Sequence, residues 1–129
     1  MEFYLPSSNG EWLAWLSAVI TSLFGLVMFF APAFTLKLLR LDLAGGRKEG
    51  LATIRSTMAG FYLGLGLGCL IFAQPFLWLV IGAAWGFTLF GRFISIMSDK
   101  TGSIYNWSFA ILEFFLAAGP LLFAFGLVQ

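Results

Sequence analysis

Residues 51–97 read LATIRSTMAGFYLGLGLGCLIFAQPFLWLVIGAAWGFTLFGRFISIM. The stretch is apolar over a length that holds two membrane-spanning helices, each needing about 20 apolar residues. It is punctuated at Gln74-Pro75, and proline suits the first turn of a helix, where an N–H would have no partner. The reading is a helical hairpin with spans over 51–73 and 75–97. The same criterion places a span over 11–31, with Trp12 and Trp15 where interfacial aromatics belong and Pro32 at its end, and another over 104–128. Residues 98–103, with Asp99, Lys100 and Gly102, carry turn chemistry. The expected fold is an all-α integral membrane protein, a left-handed antiparallel bundle of four transmembrane helices in one domain over 1–129. Between the first two spans, Phe34, Leu38 and Leu41 fall on one helix face and Lys37 and Arg40 on another. That predicts a short interfacial helix over 33–43, broken by Gly45 and Gly46.

Composition supports this class. The chain has 129 residues, 60% hydrophobic and 10% charged, with sixteen Phe and no His, whereas soluble domains are about 25% charged. A net charge of +1 offers nothing to nucleic acid, and no nucleic-acid partner is expected. Without histidine the commonest metal ligand and neutral-pH base is missing. Cys69 reads as a small buried hydrophobe, and Met28, Met58 and Met97 form no short cluster. No metal or cofactor is expected. Gly64 and Gly66 lack the strand and the third glycine of a nucleotide-binding loop.

All seven Lys and Arg residues lie in or near two connections, around Lys37 to Arg55 and around Arg92 to Lys100. By the positive-inside rule that face is cytoplasmic, with both termini on the other side of a bacterial inner membrane. Ala31-Pro32-Ala33 mimics a signal-peptide cleavage site. However, Glu2 and Glu11 precede it without any basic residue, and the apolar run is too long, so the first span is expected to be retained.

Ser56, Gly60, Gly64 and Gly68 recur every four residues, and Gly82 and Gly86 repeat the device in the third span. Small residues let helix backbones approach in lipid. The first expectation is internal packing of spans two and three; the alternative is an interface with another subunit.

Glu113 stands about 14 Å along the fourth span from Ile104, near mid-membrane, where an ionised carboxylate costs at least about 2.5 kcal/mol. It needs a partner or a proton. In span three, Trp85, Thr88, Arg92, Ser95 and Asp99 recur at three- and four-residue steps and form one polar stripe. Asn106 and Glu113 share a face in span four, as do Arg55, Tyr62 and Gly66 in span two. Arg92 is expected to pair with Glu113, and Arg55 with Asp99 or Glu113. The cluster of Arg55, Tyr62, Arg92, Ser95, Asp99 and Glu113 is either a structural clamp or a site for an anionic or polar headgroup, a quinone-like molecule or a proton.

At these residues a resemblance emerges. Ile54-Arg55-Ser56-Thr57-Met58-Ala59-Gly60-Phe61-Tyr62-Leu63-Gly64, Gly91-Arg92-Phe93-Ile94-Ser95 with Asp99, Glu113, and the 25–32 stretch resemble a family of small bacterial four-span membrane proteins catalogued as domain of unknown function 4345. Where that family has glycine after the aspartate, this chain has Lys100 and Thr101 before Gly102. The resemblance implies that Arg55, Arg92, Ser95, Asp99 and Glu113 form one constellation; it implies no activity.

No catalytic triad or ligand spacing is visible, so the chain is expected not to be an enzyme. The leading expectation is an accessory or structural membrane subunit, self-associating or bound to a larger membrane complex. The rival is a transporter or binding protein for a lipid, quinone or other small amphiphile that uses the Arg/Glu cluster.

Overall fold

The computed structural model describes residues 9–72, 74–99 and 102–126. Among them the chain is all-helical, without strands. Five helices organise it: α1 (Asn9–Phe30), α2 (Pro32–Leu39), α3 (Glu49–Phe72), α4 (Pro75–Ser98) and α5 (Ile104–Ala124). All but α2 are long and apolar enough to cross a membrane; at about 1.5 Å per residue each extends for roughly 32–36 Å. They match the four spans read from the sequence to within a helical turn. The ends expected at Ala73 and Val128, the acidic tail with Glu2, and Lys100 of the turn lie outside the described residues.

The boundaries follow from local chemistry. Pro32 ends α1 and begins α2, because it has no N–H to continue the first helix but fits the start of the second. The short helix expected over 33–43 is found over Pro32–Leu39. Arg40 takes a left-handed conformation, φ 57°, and turns its backbone N–H onto the carbonyls of Leu36 and Lys37, which ends the helix. Gly45 and Gly46, at φ 60° and 71°, then swing the chain into α3. The Ser103 side chain accepts the Asn106 backbone N–H and caps α5.

One turn of α3 departs from regular geometry. Residues Ile54–Met58 form a π-turn in which the Ala59 N–H reaches back to the Ile54 carbonyl. The wider turn inserts one extra residue, so side chains before it are rotated by about 100° relative to those after it.

Packing runs in the order α3, α1, α5, α4. The first helix packs along both α3 and α5, and α4 packs along α5, while α3 and α4 touch only sparsely. The centre of the molecule is therefore α1, and its seam is made of small residues: Gly10, Ala14, Ser17, Ala18, Thr21, Ser22 and Gly25 are buried. Gly66 of α3 and Gly119 of α5 abut this seam. A β-carbon at Gly66 would lie 2.8 Å from the Ser22 backbone nitrogen, and one at Gly119 would lie 2.9 Å from the Leu13 carbonyl oxygen. Trp78, Ile81, Trp85 and Leu116 fill the rest of the core around Ala14, Ala18 and Cys69.

This arrangement corrects the expectation that spans two and three close on each other through the α3 glycines. Among the described residues, nothing lies within 4 Å of a β-carbon built at Gly60, Gly64, Gly68 or Gly86, and Ser56 is exposed. Of the α4 glycines Gly82, Gly86 and Gly91, Gly82 alone makes a close approach among the described residues, and it meets Leu121 and Ala117 of α5. The short link at Gln74 joins two helices that hold mainly to other neighbours.

A buried hydrogen-bond relay ties three helices. Trp85 Nε1 donates to Thr21 Oγ1 (2.8 Å), Thr21 Oγ1 donates to the Ser17 carbonyl (2.7 Å), and Ser17 Oγ donates to the Leu116 carbonyl (2.7 Å). Polar groups in an apolar interior are costly unless partnered, so the relay fixes the rotation of α4 against α1.

Candidate functional site

The site is built by α4 and α5 lying side by side. Asn106 and Glu113 stand two turns apart on one face of α5, and Arg92 meets both from α4. Its Nε donates to Glu113 Oε1 at 2.7 Å, Nη2 to Oε2 at 2.8 Å and Nη1 to Asn106 Oδ1 at 2.9 Å. The guanidinium fork matches the carboxylate bidentately. The Glu113 side chain is 4% exposed and that of Arg92 23%, and the Arg92 Cζ lies 5.1 Å from the centre of the Phe109 ring. Pairing cancels two charges that would each be expensive to bury.

The ion pair forms part of the wall of a cavity of about 300 Å³ that Tyr62, Trp85, Thr88, Phe24 and Met28 also line. A second space of about 540 Å³ opens between α3 and α4, with Gly60, Gly64 and Leu65 on one wall and Val80 and Ala84 on the other. Tyr62, Trp85 and Thr88 line both. The two spaces therefore adjoin, from the outward-facing glycines of α3 to the Arg92–Glu113 pair. Their sizes are those of small-molecule sites, apolar walls with a few convergent polar groups. Tyr62 and Trp85 meet edge to face at the junction, centroids 5.7 Å apart.

The opposite side of the inner cavity is covered by α2 through Phe34, Thr35, Leu38 and Leu39. Tyr105 of α5 donates its hydroxyl to the Leu38 carbonyl, and the Arg40 guanidinium carbon sits 4.2 Å from the Tyr105 ring centre. These contacts hold α2 against the bundle.

Of the residues expected to converge, Arg92, Glu113 and Tyr62 line the same cavity, with Trp85 and Thr88 of the α4 stripe. Ser95, half-buried, lies one turn beyond Arg92, and its carbonyl accepts the backbone N–H of Asp99, which is exposed at the end of α4. Arg55 does not join them. It is exposed, and its Nε donates to the Phe29 carbonyl at 2.8 Å. The π-turn explains the difference: Arg55 and Tyr62 share a face in a regular helix, and the inserted residue turns Arg55 towards the end of α1. The single constellation that the family resemblance implies is thus divided.

Sequence reasoning missed Thr21, Phe24 and the α2 residues. Ser17 and Thr21, four apart in an apolar span, were a visible signal; nothing in the sequence signals the seating of α2 over the cavity. No family model, curated protein or solved structure matches this chain.

Proposed function

We propose that this chain is a four-span integral membrane protein that binds a small amphiphile, its polar head at the Arg92–Glu113 pair and its apolar tail in the cleft between α3 and α4. The observation that carries this reading is the adjoining of cleft and cavity through Tyr62, Trp85 and Thr88. The large apolar side chains turned outwards agree with a lipid setting: Phe61 is 74% exposed, Phe87 76% and Phe115 65%, a surface that water would not tolerate. The role is binding, not catalysis; the sequence supplies no histidine, and the acid is held in a neutralising pair.

The bundle is antiparallel in this reading. Leu13 meets Gly119 while Ser17, one turn later, meets Leu116, the opposed register of helices that run in opposite directions. This reading places both termini on the non-cytoplasmic side of a bacterial inner membrane, which the distribution of Lys and Arg supports. A second reading, association with another copy or a membrane partner, is favoured by the open space over Gly60, Gly64 and Gly68; a helix seated there would cover the mouth of the cleft.

The test is native mass spectrometry of protein extracted in mild detergent, for the wild type and for Gly64→Leu. A small molecule retained by the wild type and lost from the folded variant is expected. A wild-type spectrum of protein alone would overturn the binding reading, and a fixed multiple of the chain mass would support the second.

A further inference from the structure

We propose that the head group held at the Arg92–Glu113 pair is uncharged, an oxygen-bearing head such as a hydroxyl, ester or quinone carbonyl, and that the site disfavours both anionic and cationic amphiphiles. This deepens the binding reading above and rests on it.

The geometry argues for neutrality. A lone buried arginine would attract an anion, but Arg92 is committed. Three of its five N–H groups are directed at Glu113 Oε1, Glu113 Oε2 and Asn106 Oδ1. The pair carries no net charge. An anionic head approaching Arg92 would also meet the carboxylate bonded to it, and a cationic head approaching Glu113 would meet the guanidinium. Either would bring an uncompensated charge into a cavity walled by Phe24, Met28 and Leu112, where charge is poorly solvated. Among the described residues no second cation lines the cavity: Arg55 is turned onto the Phe29 carbonyl, Arg40 lies over Tyr105, and Lys37 is exposed on α2.

What the pair still offers is dipolar. The remaining N–H on each terminal nitrogen of Arg92 suits an acceptor oxygen, and the second lone pair on each Glu113 oxygen suits a hydroxyl. Tyr62 and Thr88 add hydroxyls to the same wall. A donor–acceptor head satisfies these groups without adding charge.

The test uses wild-type protein in phosphatidylcholine vesicles and three photoactivatable probes with one diazirine-bearing chain: a monoacylglycerol, its phosphate ester and an alkyl trimethylammonium. Labelled peptides are mapped by mass spectrometry. The monoacylglycerol is expected to label residues 60–65 and 80–88 about tenfold more than either charged probe, a difference of about 1.4 kcal/mol. Glu113→Gln leaves the Arg92 charge unneutralised and is expected to shift the preference to the phosphate ester; if that variant does not fold, the wild-type comparison decides alone. Equal labelling of the cleft by all three probes, or preference for a charged one, overturns the neutral-head inference and leaves the binding reading standing. Labelling by every probe only outside the cleft overturns both.

Discussion

Arg92 and Glu113 meet through paired hydrogen bonds of 2.7 and 2.8 Å across α4 and α5, and the carboxylate at the centre of that contact is 4% exposed. Two helices close in sequence are thereby pinned in rotation and in height. The same contact provides the charged end of a largely apolar cavity system, so stability and binding both draw on one pair of side chains.

Removing either partner leaves the other charge buried and uncompensated, which typically costs about 3–5 kcal/mol. Arg92→Gln and Glu113→Gln are each expected to lower the apparent melting temperature in detergent sharply. The double change Arg92→Met with Glu113→Leu is expected to regain most of the loss, since a well-packed apolar pair of similar size avoids desolvation. Thermal unfolding followed by circular dichroism checks it; a double variant no better than the singles would contradict it.

Glycines on the two faces of α3 are expected to behave differently. Gly66→Ala forces a β-carbon against Ser22 and is expected to destabilise by about 1–3 kcal/mol through overpacking. Gly60→Ala and Gly68→Ala meet open space and are expected to leave monomer stability unchanged or slightly raised, because alanine favours the helix. Comparable losses at Gly60 and Gly66 would place the α3 glycines in one internal seam.

Thr21→Val removes the acceptor of the Trp85 indole N–H in a buried position. The orphaned donor is expected to cost about 1–3 kcal/mol. Trp85→Phe removes the donor as well, so the double variant should lose less than the two single losses combined. A double-mutant cycle on detergent-solubilised protein measures the coupling, and strict additivity would refute it.

Charge placement makes a prediction independent of side-chain geometry. A phosphatase reporter, active only outside the cytoplasm, is expected to be active when fused after Gln129 and inactive when inserted between Gly45 and Gly46. The opposite pattern would invert the orientation drawn from the seven basic residues.

Helix number, approximate ends and the Arg92–Glu113 pair were determined by the sequence by itself. Length and hydropathy are properties of a line, and they place a helix wherever about 20 apolar residues run together. Glu113 in such a run must find a partner or a proton, and helical periodicity puts Arg92 at the right level on a neighbouring stripe. The tertiary structure alone decided which glycines face inwards, where Arg55 goes and that a cleft exists. Gly60 and Gly66 are the same residue in the same helix; what separates them is the small-residue seam of α1, against which only Gly66 lies. Arg55 was misplaced because one inserted residue in the Ile54–Met58 turn resets the phase on which every periodicity argument depends. The cleft arises because α3 packs on α1 and α4 on α5. That choice of neighbours follows from side-chain volumes matched across the bundle, which periodicity along one helix does not encode.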